Sequence, residues 1–408
     1  MVVKQLKGKG MNITLVQAAK TAELAWYLCE TLTGQKAYEQ CSTTDPLPTA
    51  DKIVYGVAIG VCDGKVAVKT PEGKVDLDFD YLVCATGIIM PSFTPVPGQD
   101  PAERRREVED LAKVLTDPNK HVVVAGGGAT GVEIAGDILD GGNKNITLIT
   151  PGDRLLVDQD EKWSKKALDS LQSRGVKVLF GRRCSSHQDT TVADPDSKLM
   201  VTTNGGASIE CDVYLPAYAR GPRTAWLSRP IGDSKQLPDD LMNDKACVKV
   251  DEYLASKVYP KLYVMGECSD LDEPALGPNF DKQAQCIAKN IAREKSSKYG
   301  GGMLKKPLVQ LIGHKSYGFC VPEALNLPRY VSSCICTACG LPVNLLCPCV
   351  WGAIICGPCN PMTCGYCCSD AEGKGVTDTI AGAAKLGLGA DFAGFVGLAK
   401  VAPQEMQR

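Results

Sequence analysis

The stretch HVVVAGGGATGVEIAGDILDGGNKNITLIT, from His121 to Thr150, decides how this chain is read. HVVVA is a continuous apolar run, the mark of a strand buried on both faces of a parallel sheet. It leads into Gly126, Gly128 and Gly131, in the spacing G-x-G-x-x-G. Ala129 to Leu139 then has a helical pattern, and Ile146 to Ile149 is a second strand. In that setting each glycine has a physical task. Gly126 permits the tight turn. Gly128 lets the backbone approach a pyrophosphate. Gly131, with Ala135 one turn on, lets the helix pack close to the sheet. The helix N-terminus presents unpaired N–H groups and a positive dipole end to phosphates. The candidate dinucleotide site is therefore Gly126, Gly127, Gly128, Ala129, Thr130 and Gly131. The competing interpretation is a Gly-rich turn in some other α/β fold.

The end of the second strand bears on which dinucleotide. A carboxylate there would bind the ribose 2′-OH of NAD. This chain has Thr150-Pro151-Gly152-Asp153-Arg154. Thr150 is neutral, and Arg154 is near enough to meet a 2′-phosphate. The sequence thus allows NADP and gives no support to strict NAD preference. The alternative is that Arg154 is a surface residue.

Outward from this unit the pattern stays α/β with antiparallel excursions. MNITLVQ (Met11 to Gln17) reads as a short strand. Lys52 to Gly87 reads as a run of strands turning at CDGK and PEGK. AERRREVEDLAK, Ala102 to Lys113, carries mixed charges at helical spacing and predicts a solvated helix face. Glu161 to Ser173 is a helix, and Val176 to Phe180 a third strand. A hairpin is expected around Asn204-Gly205-Gly206. KLYVMGECSD begins as another buried strand, and Lys282 to Lys295 as an amphipathic helix.

The 408 residues suffice for two or three domains with real cores. There are 45 Lys and Arg against 47 Asp and Glu, so nothing favours nucleic acid as a partner. No apolar signal segment opens the chain. Three histidines, at 121, 187 and 314, make no case for nucleophilic or His-based metal catalysis. Ten of the twenty cysteines are scattered between Cys29 and Cys320, as expected of small buried apolar side chains in a reducing compartment.

Four segments carry a resemblance to the two-dinucleotide-fold flavoproteins: DFDYLVCATGIIMP, HVVVAGGGATGVEIAGDI, ITLITPGDRLL with GVKVLFG, and KLYVMGECSD with KQAQCIAKNIA. Within that group the chain resembles the branch of ferroptosis-suppressor and apoptosis-inducing-factor-like NAD(P)H:quinone reductases, beside the type II NADH dehydrogenases. The resemblance covers roughly residues 10 to 330. It implies two Rossmann-like three-layer units, an FAD domain split by an inserted NAD(P)H domain. The corresponding segments are 1–118, 119–240 and 241–330, followed by a tail, 331–408. It also implies hydride transfer from nicotinamide to flavin and electron transfer to a quinone. Ala85, Thr86 and Gly87 would line the flavin, Gly266 and Glu267 would sit at its ribityl chain, and Gln17 at its adenosine ribose. Glu133 would face the flavin–nicotinamide junction.

The chain departs from that pattern at several points. Ten residues precede MNITLVQ, too few for the strand, G-x-G-x-x-G turn and helix that open the family's FAD domain, so the first unit is expected to be N-terminally incomplete. Gln17 stands where the family has an acid, and can bond a hydroxyl only without charge assistance. Glu267 stands for Asp, displacing the carboxylate by about 1.5 Å. Pro274-Ala275 lacks the family's Lys, and the second counterpart of ATG reads Ala217-Tyr218-Ala219. The alternative expectation is a non-catalytic scaffold subunit of a respiratory or photosynthetic membrane complex.

The tail holds the other ten cysteines, Cys334 to Cys368, with C-x-x-C pairs at Cys336/Cys339, Cys356/Cys359 and Cys364/Cys367. Paired thiolates at this spacing suit zinc or another thiolate-bound metal. The intervening apolar residues suit packing or contact with a membrane surface through residues 341–402, and disulfides are a third reading.

Overall fold

The computed structural model describes residues 1–23, 28–43, 50–273, 277–292 and 297–302. Its centre is a five-stranded sheet. The order is Lys177–Leu179, Ile146–Ile149, Val122–Ala125, Val213–Pro216, Thr191–Val192. The first four strands run parallel and Thr191–Val192 is antiparallel to its neighbour. Val122 to Ala125 occupy the middle and are all buried, as their unbroken apolar run requires.

Alternate residues of these strands face two different layers. Val122, Val124, Ile146, Leu148, Val213 and Leu215 point toward the Ala129–Asp140 and Glu161–Ser173 helices. Val123, Ala125, Ile149 and Tyr214 point the other way, onto Val201 and Cys211. Those belong to an antiparallel hairpin, Leu199–Thr202 with Ser208–Cys211, whose turn is the expected Asn204-Gly205-Gly206. One face is thus covered by helices and the other by a hairpin.

The second core is built differently. Thr14–Gln17 pairs in parallel with Lys52–Tyr55. Leu82–Cys84 pairs in parallel with Leu262–Val264. The two pairs form separate two-stranded sheets. No residue of Thr14–Gln17 or Lys52–Tyr55 is fully buried, in contrast to the central strands of the larger sheet. Around them pack a three-stranded antiparallel sheet, Val57–Cys62, Lys65–Thr70 and Gly73–Asp78, and the Gly277–Ile291 helix, which receives the short Val2–Leu6 helix.

Two expectations need correction. The charged helix, Pro101–Thr116, is mostly solvated, but Arg104 is wholly buried. Glu23, far away in sequence, neutralises it. The amphipathic helix begins at Gly277, not Lys282, because Pro278 is accommodated in a first helical turn. It ends at Ile291, short of Lys295, which lies outside the described residues.

The candidate metal ligands of the tail, Cys336, Cys339, Cys356, Cys359, Cys364 and Cys367, all lie outside the described residues. So do Pro274-Ala275 and the apolar stretch 341–402. Among the described residues, no group of three or more His, Cys, Asp or Glu side chains is arranged to hold a metal ion.

Candidate functional site

The turn after Val122–Ala125 is held by its own packing. Gly126 donates its N–H to the Ile149 carbonyl at 2.9 Å and has φ +134°, a conformation that favours glycine. A Cβ on it would lie 2.6 Å from the Ala217 carbonyl oxygen. One on Gly127 would lie 2.6 Å from Thr150 Oγ1, and one on Gly131 would run into the carbonyl of Gly126. The fold therefore demands three of these glycines. Gly128 differs. It is exposed, a Cβ there would meet nothing within 4 Å, and its φ of −80° suits any residue. It is the N-cap of the Ala129–Asp140 helix, and no side chain caps that end. Ala129, Thr130 and Glu133 are half-buried on the helix behind it.

Thr150 is buried at the end of Ile146–Ile149. Its N–H donates to Leu179, and its carbonyl accepts from the N–H of Arg182. Arg154 is engaged otherwise than its position suggested. Its guanidinium donates to the carbonyls of Leu156 (3.3 Å), Gln159 (3.0 Å) and Val157 (2.7 Å), tying down its own loop. Those bonds would have to break before it reached a ribose phosphate.

A second crevice opens where Leu82–Cys84 and Leu262–Val264 end side by side. Cys84 lies opposite Val264, and the Met265 N–H donates to the Cys84 carbonyl at 3.1 Å. The structure thereby brings together Ala85, Thr86, Gly87, Gly266 and Glu267. Ala85 and Thr86 are exposed, and Gly87 has φ +68° with open space where a Cβ would lie. Thr86 Oγ1 donates to the Arg223 carbonyl at 2.6 Å. Gln17 is elsewhere, on the other strand pair opposite Tyr55.

Glu267 stands at a cavity of about 390 Å³ lined also by Asn243, Cys247, Ser269, Asp270 and Glu273. Its surface stays accessible, yet enough protein surrounds it that desolvation raises its carboxyl above the usual range. Gln283, 1% exposed on the Gly277–Ile291 helix, fixes the turn beside it. Its Oε1 accepts from the Gly266 N–H at 2.7 Å, and its Nε2 donates to Glu273. Glu273 also accepts from Tyr299 OH at 2.5 Å and from the Gly302 N–H at 2.8 Å. Sequence reasoning missed Gln283, Glu273 and Arg223. A Gln on the apolar face of an amphipathic helix was the one available signal.

The crevice fits the ribityl end of a flavin: open glycine, exposed Thr86 and a carboxyl at the mouth. For the flavin's pyrophosphate, no second Gly-rich strand-to-helix turn occurs among the described residues.

A parallel sheet with a glycine-lined turn at the N-terminus of its central helix defines an α/β dinucleotide-binding protein. The chain belongs to the pyridine nucleotide-disulphide oxidoreductase family, which it matches over residues 3–288. It is 28% identical to ferroptosis suppressor protein 1 of Xenopus tropicalis, over 59% of this chain and 63% of that one. It is 26% identical to the mitochondrial external alternative NAD(P)H-ubiquinone oxidoreductase B1 of Solanum tuberosum, over 50% and 39%. It therefore spans less than two thirds of either relative. Its fold is similar to that of the water-forming NADH oxidase of Lactobacillus brevis, solved with NADH. There the TM-score is 0.59 at 19% identity, covering 76% of this chain and 70% of that one.

Proposed function

We propose that this chain binds NAD(P)H at the Gly126–Gly131 turn and acts as an FAD-dependent oxidoreductase with a quinone-type acceptor. Gly128 carries the reading. Neither backbone conformation nor packing requires a glycine there, so the free space in front of it is the reason for one. A pyrophosphate approaching the helix N-terminus uses that space.

In this reading residues 119–240 form the nucleotide-binding unit, within an FAD-binding unit made of 1–118 and 241–330. The N–H groups opening the Ala129–Asp140 helix hold the phosphates, and Thr150 stands at the ribose. Thr86, Gly87, Gly266 and Glu267 hold the flavin, with Gln283 keeping the Gly266 turn in shape. A bound flavin supplies the acceptance of hydride and the release of electrons. The protein's part is to orient the reactants and keep water from between them. The quinone acceptor is supported by the resemblance and by the potato relative's name. No helix among the described residues is long and apolar enough to cross a membrane, and we infer peripheral contact with the bilayer that holds the quinone.

The test is titration of the full-length chain with NADH and NADPH, followed by nucleotide fluorescence, then addition of FAD and a short-chain ubiquinone. Saturable nucleotide binding, and flavin absorbance that the nucleotide bleaches and the quinone restores, are expected. Absence of nucleotide binding overturns the reading.

One observation favours a second reading. The two strand pairs of the second core are not joined, so the flavin unit is less complete than the nucleotide unit. A scaffold subunit of a membrane complex would keep the fold without the flavin. Nucleotide binding without flavin uptake, together with co-purification in such a complex, decides for it.

A further inference from the structure

We propose that the chain takes NADPH in preference to NADH, and that Arg182, just past the Lys177–Leu179 strand, holds the 2′-phosphate where Arg154 does not. The inference rests on nucleotide binding at the Gly126–Gly131 turn and narrows it to one of the two nicotinamide nucleotides.

Three parallel strands of the large sheet end side by side: Val122–Ala125, Ile146–Ile149 and Lys177–Leu179. Gly126, Thr150 and Arg182 follow them, so they stand in that order along the carboxyl edge. Backbone bonds tie each to the next strand's end. The Gly126 N–H donates to the Ile149 carbonyl and the Arg182 N–H to the Thr150 carbonyl, both at 2.9 Å. Neighbouring strands lie about 4.8 Å apart, which puts Arg182 about 10 Å from the glycine turn. A dinucleotide with its pyrophosphate at that turn lays its adenosine outward along this edge, over Thr150 and toward Arg182. Thr150 is buried and neutral, and its hydroxyl accepts from the Gly152 N–H at 3.4 Å. It sets no negative charge against a phosphate.

Among the described residues, Arg182 is the one half-buried arginine whose guanidinium has neither a hydrogen bond nor an ion pair. The other half-buried arginines are committed. Arg154 holds its own loop, Arg174 pairs with Asp140, and Arg223 donates to the Ile88 carbonyl and to Thr94. Arg106, Arg183 and Arg229 also lack partners, but they are exposed. Partial burial takes water from the Arg182 charge with no anion in return. A phosphate supplies that anion, and the planar guanidinium can meet it with two parallel N–H···O bonds. The surroundings keep room for the group. Asn204, in the hairpin turn, donates its N–H to the Arg183 carbonyl at 2.9 Å and accepts from the Arg183 N–H at 3.1 Å. This sets Gly205 against Arg182, and a Cβ on Gly205 would run into Arg182 Nη1. Chain neighbours apart, it would meet no other described residue within 4 Å, and the φ of Gly205 lies outside the left-handed region. The guanidinium is thus the group that uses the space left by this glycine.

The experiment is calorimetric titration of the full-length chain with NADPH, NADH, 2′,5′-ADP and 5′-AMP. NADPH should bind at least about tenfold more tightly than NADH, and 2′,5′-ADP should exceed 5′-AMP by a similar margin. Arg182→Ala should lose about tenfold or more in NADPH affinity and leave NADH affinity within about twofold. Arg182→Lys keeps the charge without the fork and should recover part of the loss. Gly205→Ala keeps the arginine but pushes its guanidinium aside, and should weaken NADPH alone. Each sample meets both nucleotides, so loss of folded protein lowers both stoichiometries and leaves the affinity ratio as it was. Equal affinities, or a preference for NADH that would give the ribose to Asp153, overturn the inference and leave nucleotide binding standing. A preference for NADPH that survives Arg182→Ala and is lost in Arg154→Ala also overturns it. Binding of neither nucleotide overturns this inference together with the reading it rests on.

Discussion

Arg104 and Glu23 are joined by a two-pronged ion pair inside the protein: Nε to Oε1 at 2.8 Å and an Nη to Oε2 at 3.1 Å. Their side chains are 2% and 6% exposed. Tyr38 OH donates to the same carboxylate at 2.8 Å, and Arg104 also donates to the Ser92 carbonyl at 2.9 Å. Removing one partner strands a buried charge. Arg104→Ala should therefore lose about 3–5 kcal/mol, read as a lower midpoint in urea unfolding. Arg104→Met with Glu23→Leu and Tyr38→Phe should recover most of that loss. A triple variant no more stable than Arg104→Ala would mean that the stranded charge is not the cause.

Gly128 and Gly131 should separate binding from folding. Gly128→Val should weaken NAD(P)H binding at least about tenfold, ~1.4 kcal/mol, with little change in Tm. Gly131→Val drives a side chain into the Gly126 carbonyl and should lower stability by about 3 kcal/mol or more. Calorimetric titration and thermal unfolding of the same two samples check both halves.

Gln283→Leu keeps the helix and removes two bonds. The Gly266 N–H loses its partner and Glu273 Oε1 keeps only Tyr299 OH, so stability should fall by about 1–3 kcal/mol. Flavin uptake should fall more than nucleotide binding, because the altered turn belongs to the second crevice. Equal losses in both titrations would count against that assignment.

Asp212 gives a pH dependence. Burial alone would raise its carboxyl, but Lys198 at 2.6 Å, the His121 N–H at 2.8 Å and Lys120 at 3.3 Å outweigh burial and hold it below its usual range. A depressed folded value contributes stability that is present above the unfolded pKa of about 3.9, and is lost as pH falls through the folded value. Asp212→Asn should therefore be less stable than the unaltered chain at neutral pH, with the gap closing in acid below about pH 4. Urea midpoints across that range decide it.

The local signals in the sequence located the regular elements well. Ile146–Ile149 and Glu161–Ser173 coincide with their expected spans, and the strand run from Lys52 turns at both Gly-containing tetrapeptides. An apolar run or a 3.6-residue period is a property of consecutive residues, and so is legible. Arg104 was not, because its partner is 81 positions away. A run of charges cannot say which one turns inward. The same limit hid Arg154's use of its own loop carbonyls and Gln283's hold on Gly266. The separation of the two strand pairs depends on long-range pairing, which alternation within one strand does not encode.

The four glycines of the turn also keep a record of descent. A lineage that ceased to bind dinucleotides would still retain Gly126, Gly127 and Gly131, since replacing any of them damages the fold. It would be free to drift at Gly128, where a side chain meets nothing. Comparing that one position across descendants of a common ancestor would date the loss of binding separately from any loss of structure.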